Sequence, residues 1–224
     1  MPPASPGPLV FVADVEHPEL EDADRHHLQK ALRLRPGAPL VVADGAGAWR
    51  PVRFGAELEA IGEVAVEPRP APALTVGLTP TKGDRPEWAV QKLTELAVDH
   101  IVILRTERSV VRWEGDREAH HLERLRRVAR EAAMQSHRLW LPTVEGVHTL
   151  DDHPGAALAD PGGRPPAATD GVVLCGPEGG WSDAERAAAT DRVGLGPAIL
   201  RAETAAVTAG ALLVALREGL VRPA

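Results

Sequence analysis

The chain has 224 residues, 44% of them hydrophobic and 25% charged, with a net charge of −7 at neutral pH. That length suits two compact domains with buried cores, and a lone cysteine excludes an intrachain disulfide, which fits a reducing compartment. The acidic total excludes a uniformly basic nucleic-acid coat while permitting a local basic face, and no apolar run reaches membrane-spanning length.

Residues 1–70 read as a small β-rich unit. Leu9–Val12 and Pro39–Ala43 are strand-like, and Asp44-Gly45 is a turn signal leading into a strand from Trp49 to Phe54. A further strand is expected between Ala60 and Val66. Between the first two strands, Leu28, Ala31 and Leu32 at i, i+3 and i+4 predict a helix that Arg35-Pro36-Gly37 ends. The amino terminus lacks a charged-then-apolar leader, so the expected location is the cytoplasm. His26-His27 and His120-His121 are adjacent on predicted helices and point about 100° apart, so no metal site is expected. Pro68-Arg-Pro-Ala-Pro72 is a stiff connector and the best boundary between domains.

From residue 74 to 224, strands and helices alternate. Leu74–Leu78 is a predicted strand. Asp84-Arg-Pro86 then offers a cap and a first-turn proline for a helix whose buried face is expected to carry Trp88, Leu93, Leu96 and Ala97. Ile101–Leu104 is apolar throughout, as in a parallel strand covered on both faces. Ala119, Leu122, Leu125, Val128 and Ala132 step by three and four along a helix from Asp116 to Ser136. A loop holding Pro154, Pro161, Pro165 and Pro166 is expected before the strand Val172–Cys175. The last helix is predicted from about Glu203 to Leu216. This alternation predicts an open α/β sheet with ligands at the carboxyl ends of its strands.

Two Gly-rich turns stand out. Gly176-Pro-Glu-Gly-Gly180 follows a strand and empties into the capping box Ser182-Asp-Ala-Glu185. Gly194-Leu-Gly-Pro-Ala-Ile-Leu200 leads directly to Arg201 and Glu203. Neither turn matches a dinucleotide fingerprint or a P-loop, and Glu178 suits a ligand with positive charge or ribose hydroxyls better than a pyrophosphate. A merely tight strand-to-helix turn satisfies the first pattern equally well. Glu203 complements a helix dipole and Arg201 pairs with an acid on an ordinary reading; beside a Gly-rich turn, Arg201 instead suits a developing anion. The Arg124, Arg126, Arg127 and Arg130 cluster alternates with Glu118, Glu123 and Glu131, as on a solvated helix face. Cys175 is expected to be a buried strand residue. Trp88 and Trp140 are expected in cores, while Trp49 and Trp181, near turns, suit either a core or a stacked base.

Taken in order, several segments resemble one family. They are His27–Gly37, Asp44-Gly45, Lys82–Leu96, Glu131–Arg138, Gly176–Gly180 and Leu195–Ala205, spanning nearly the whole chain. The chain is similar to the ribosomal RNA small subunit methyltransferase E family, SPOUT-class enzymes that methylate N3 of a uridine in 16S rRNA with S-adenosyl-L-methionine. The resemblance implies a PUA-like β-barrel over 1–70, an RNA-binding domain. Behind it, over 74–224, it implies a trefoil-knotted open parallel sheet, the SPOUT domain, with the knot at its carboxyl-terminal end. It also implies a homodimer and a partner in 16S rRNA of the small subunit. Carried onto this chain, Leu174, Gly176, Glu178, Gly179, Gly180, Leu195, Gly196 and Leu200 surround the cofactor. Arg201 stabilises charge on the base and Glu203 accepts its proton. Arg33, Arg35, Lys82, Arg85 and Arg138 face RNA. Met134, His137 and Ala198 depart from the family pattern, and Ala198 leaves Arg201 as the lone guanidinium in its turn. Two alternatives share these residues: a SPOUT methyltransferase for another RNA, and a non-catalytic RNA-binding assembly factor.

Overall fold

Apolar runs bounded by turn residues set the architecture of both parts of the chain. The computed structural model describes residues 7–221. These group into two units: the described residues up to Arg69 with Ala133–Leu141, and Pro70–Ala132 with the described residues from Pro142 onward.

In the first unit, β1 (Leu9–Phe11) runs parallel to β2 (Pro39–Ala43), with Leu9 beside Val41 and Phe11 beside Ala43. β2 folds back antiparallel onto β3 (Ala48–Arg53). Asp44 shapes the turn: its Oδ1 accepts the N–H groups of Ala46 at 2.7 Å and Ala48 at 3.0 Å. Gly45 and Gly47 take positive φ there (+78° and +98°), where a side chain is strained. The single strand expected between Ala60 and Val66 is instead two short ones, β4 (Glu59–Ala60) and β5 (Ala65–Val66), each paired with β3. Successive residues of β1 and β2 face opposite sides, and both sides are covered. Val10, Leu40 and Val42 pack with Leu28, Val52 and Phe54; Leu9, Phe11 and Val41 pack with Trp49, Ala133 and Leu139. Helix α1 (Asp22–Lys30) buries Leu28 but not the expected Ala31 and Leu32. It ends at Lys30, ahead of the expected stop at Arg35-Pro36-Gly37, and Arg33 with φ +53° turns the chain out of the helical path.

The second unit is built on six parallel strands. In chain order these are β6 (Thr75–Leu78), β7 (His100–Leu104), β8 (Thr143–His148), β9 (Ala157–Arg164), β10 (Val172–Cys175) and β11 (Asp191–Val193). In space they run β11-β9-β10-β6-β7-β8. Helices α2 (Arg85–Glu95), α3 (Asp116–Gln135) and α5 (Ala202–Arg217) give Leu93, Leu125 and Ala206 to one face of the sheet, against Val76, Ile101, Ile103 and Val173. The alternate strand residues Val102, Leu104, Leu158 and Leu174 face Trp181 and Ala189, which bracket α4 (Asp183–Ala188). Gly210, mid-helix in α5, lets α5 approach α2: a Cβ there would lie 2.6 Å from Leu93 Cδ2. At the far end of α5, Arg217 and Asp99 form a buried ion pair at 2.6 Å, and Asp99 also accepts the N–H of Leu74 at 3.0 Å.

Three expectations need correction. Trp88 lies outside the core, 44% exposed, because the inward face of α2 carries Ala89, Val90, Leu93 and Thr94. Asp84 precedes α2 without any side-chain cap bond, although Pro86 does sit in the first turn. The loop expected ahead of Val172 contains β9, and β8 precedes it. Proline and glycine hid β9, yet the structure accommodates Pro161 in an irregularity of the pairing. Leu158 faces Arg192 and Arg164 faces Val193, so residues 159–163 have no register partner in β11, although Ala159 still pairs with Cys175 of β10. Proline is tolerated inside a sheet at such bulges, where no ladder bond is lost.

Candidate active site

The first Gly-rich turn leaves the sheet at the carboxyl end of β10. Gly176 is packed beneath Trp181, whose ring a Cβ would meet at 2.9 Å. Trp181 is a core residue, 1% exposed, with its indole N–H donated to Ala159 O at 2.9 Å. Gly180 takes φ +67° and donates its N–H to Pro177 O at 2.8 Å, closing the turn. Ser182 then caps α4: its hydroxyl accepts the Glu185 N–H, and the Glu185 carboxylate accepts the Ser182 N–H. Glu185 Oε1 also accepts the N–H of Glu107, and Arg108 donates to Gly179 O at 3.1 Å, so the loop after β7 is fastened to the turn. Burial pushes the Cys175 thiol up to about 12, so it stays protonated and plays no nucleophilic part.

The second turn leaves the carboxyl end of β11. Gly194 passes so close to Gly163 that a Cβ on either would meet the other segment's backbone within 2.8 Å. Arg164 holds this region: it donates to both oxygens of Asp170, at 2.8 and 2.6 Å, and makes a short contact with Asp191. The guanidinium lowers the pKa of both carboxyls. Asp160 accepts from Arg186 of α4 and Arg192 of β11. The bulged Pro161–Gly163 and the turn Gly194–Ile199 then wall a cleft of about 570 Å³. Leu195 and Gly196 line it, and Leu200 is half-buried just beyond.

A second cleft, of about 380 Å³, opens at the carboxyl ends of β6 and β10. Thr79, Lys82, Arg85, Arg108, Glu178 and Gly179 line it, with Val110, Val111 and prolines between. The two Gly-rich turns therefore line different clefts. Arg85 joins them: its Nη1 lies 3.2 Å from Glu178 of the first turn, and its Nε lies 3.7 Å from Glu203, at the start of the helix that follows the second. The Glu203 side chain is 11% exposed, and its Oε2 is buried with no hydrogen-bond partner.

Other candidates distribute as follows. Arg201 is the exposed N-cap residue of α5, its side chain making no cap bond. Leu174 is buried in the sheet core, so only its backbone can face a ligand. Arg85, expected on an RNA face, is committed to two carboxylates. Lys82 is exposed at the mouth of the smaller cleft; Arg33 and Arg35 are exposed on the first unit, and Arg138 there is half-buried. Sequence reasoning passed over Thr79 and Arg108. Thr79 carried one usable signal, its position directly after an apolar parallel strand; Arg108 carried none. Among the described residues no cluster of three potential metal ligands exists, and no helix is long and apolar enough to cross a membrane.

Comparison with known proteins places this geometry in a family. Residues 67–214 match the RNA methyltransferase domain family. A protein named ribosomal RNA small subunit methyltransferase E from Mycobacterium bovis is 32% identical, over 82% of this chain and 80% of its own length. One of the same name from Synechocystis is 34% identical, over 89% of this chain and 73% of its length. The crystal structure of the Neisseria gonorrhoeae protein of that name, bound to S-adenosyl methionine, superposes with a TM-score of 0.78 at 28% identity, covering 94% of this chain and 98% of the other. With an RNA methyltransferase domain across its second unit and relatives of one name along most of its length, the chain belongs to the ribosomal RNA small subunit methyltransferase E family.

Proposed function

We propose that this protein is an S-adenosylmethionine-dependent methyltransferase acting on N3 of a uridine in the 16S RNA of the small ribosomal subunit. The observation that carries the reading is the bridge from Glu178 through Arg85 to Glu203, which brings charged groups from beside both Gly-rich turns to one place.

The larger cleft fits the cofactor. Its volume of about 570 Å³ suits a ligand of nucleoside size. Its wall runs through Gly162, Gly163, Gly194 and Gly196; Gly194 donates its N–H to Arg164 O at 2.8 Å, while a Cβ at Gly196 would meet nothing. Leu195, Ile199 and Leu212 supply apolar surface for an adenine. Leu195, Gly196 and Leu200 hold the cofactor from this side. Gly176, Glu178, Gly179 and Gly180, with the Leu174 backbone, hold the end that faces Arg85. When bound, S-adenosylmethionine would supply an electrophilic methyl group on sulfur, whose bonding pair would stay with sulfur as N3, giving up its proton, formed the new bond. Glu203 accepts that proton through its unpartnered Oε2. Arg201 donates to a carbonyl oxygen of the base, where the charge of the deprotonated ring collects.

The finer architecture belongs to the same proposal. The five-stranded first unit is a PUA-like RNA-binding barrel presenting Arg33 and Arg35. The second unit is a SPOUT domain with a trefoil knot, a reading supported by β11 returning beside β9 after β10 has paired with β6, and by the crossing of Gly163 and Gly194. The protein works as a homodimer in the cytoplasm. The test is transfer of tritiated methyl to unmodified 30S subunits, followed by nucleoside mass spectrometry. Label in 3-methyluridine is expected. Label in another nucleoside, or cofactor binding with no transfer to any RNA, refutes the reading.

A further inference from the structure

The smaller cleft holds a polar group that neither the fold nor the steps above use. Thr79 follows β6 directly, is 1% exposed, and lines the cleft. Its Oγ1 is buried without a hydrogen-bond partner. A hydroxyl desolvated and left unpaired costs about 1 to 3 kcal/mol, so a fold has little reason to keep one unless a ligand completes it. Only four buried side-chain polar atoms among the described residues share this condition. A second of the four is Glu203 Oε2, whose carboxylate faces the cleft-lining Arg85. Thr79 and Arg85 thus line one cleft, and the second orphaned oxygen belongs to the carboxylate paired with Arg85.

The walls indicate the ligand. Val110, Val111, Pro80 and Pro177 make them apolar, while Thr79, Arg85 and Glu178 give them a few fixed polar points. Enzymes that modify a base inside a folded RNA extrude it into such a pocket, gripping its faces with apolar groups and its edge with hydrogen bonds. A pyrimidine-2,4-dione presents two carbonyl oxygens flanking one N–H. A hydroxyl beside a guanidinium matches two carbonyls, and a carboxylate matches the N–H. Both donors also favour the ring once N3 has lost its proton, since its charge spreads to those oxygens.

We propose that the cleft of β6 and β10 receives the extruded target uracil, and that Thr79 Oγ1 donates a hydrogen bond to one of its carbonyl oxygens as a specificity-determining contact. Arg85 serves the other carbonyl while staying paired with Glu178 and Glu203, and Arg201 takes a second lone pair of one of the two oxygens. The assignment rests on the methyltransferase reading, and the test separates the two.

Wild type, Thr79→Val and Thr79→Ser are compared on unmodified 30S subunits, with thermal melting and cofactor calorimetry in parallel. Thr79→Val keeps the shape and removes the orphan, so its Tm is expected to equal or exceed that of wild type. Its cofactor Kd is expected to stay within about twofold, while methyl transfer falls roughly 10- to 100-fold, as for loss of one donor to a developing anion. Thr79→Ser is expected to restore most of the rate. Full turnover in Thr79→Val overturns the assignment, as does a rate loss that merely follows lost cofactor affinity. Should Thr79→Val melt low, Thr79→Ala against Thr79→Ser decides by the same comparison: equal rates overturn the proposal. Absence of transfer in wild type sinks the methyltransferase reading itself, and with it this assignment.

Discussion

Arg85 holds two carboxylates at once, and a guanidinium has enough N–H groups to bind a third partner without releasing either. The residue is 39% exposed, so its pair with the 63%-exposed Glu178 contributes little to folding, within about 1 kcal/mol, but Glu203 is only 11% exposed and is stranded if the positive charge is removed. Arg85→Lys keeps a positive charge beside Glu203 and loses the planar fork of donors. It is expected to hold the Tm near that of wild type while lowering methyl transfer by about two orders of magnitude. A full rate in Arg85→Lys would return Arg85 to a structural role. Arg201 differs, being exposed and capping nothing with its side chain. Arg201→Ala is expected to keep stability and cofactor affinity, by melting and calorimetry, and to lose turnover.

The elements explain what pattern reading reached and what it missed. β7 was legible because it is apolar and buried at every position from Ile101 to Leu104, and the Ser182–Glu185 box was legible because capping is local chemistry. β9 was not, since nothing in Pro161-Gly162-Gly163 announces that the chain re-enters the sheet at Arg164. Trp88 was misplaced because size argues for burial, while the phase of α2 is set by Ala89, Val90 and Leu93. The Gly-rich turns were found from composition, but their opening onto separate clefts depends on long-range packing that no local signal encodes. Two element-level predictions follow from the ion pairs. Arg217→Ala should cost about 3 to 5 kcal/mol in denaturant unfolding, since it strands the buried Asp99 carboxylate. Asp170 has its pKa lowered by Arg164, so its stabilisation is complete above the unfolded-state value of about 3.9 and vanishes as pH falls through the folded value. Asp170→Asn should thus be less stable than wild type at pH 6, the two converging below pH 4 in chemical melts.

At the scale of the molecule, a chain of net charge −7 has to approach a polyanion. The reconciliation is local, because charges farther away than about 8 Å are screened at physiological salt. Lys82, Arg33 and Arg35 are all exposed. Binding to 30S subunits is expected to weaken with salt, and Lys82→Ala to reduce the slope of log K against log salt by roughly 0.7 to 0.9. Filter binding across a salt series measures this; an unchanged slope removes Lys82 from the interface. The chain's division also shows where linear reading stops. The contact boundary lies between Arg69 and Pro70, inside the proline connector, yet Ala133–Leu141 group with the first unit from a distant point in sequence.

The detour at residues 159–163 begins and ends inside one strand, with Leu158 and Arg164 both still registered against β11. Exposed Pro161 can vary, Asp160 and Gly163 are held by their contacts, and the number of peptide units is fixed. Deleting one would drag Arg164 out of step with Val193 and pull its guanidinium away from Asp170 and Asp191. The rim of the larger cleft thus behaves like a hoop of fixed circumference, intolerant of resizing.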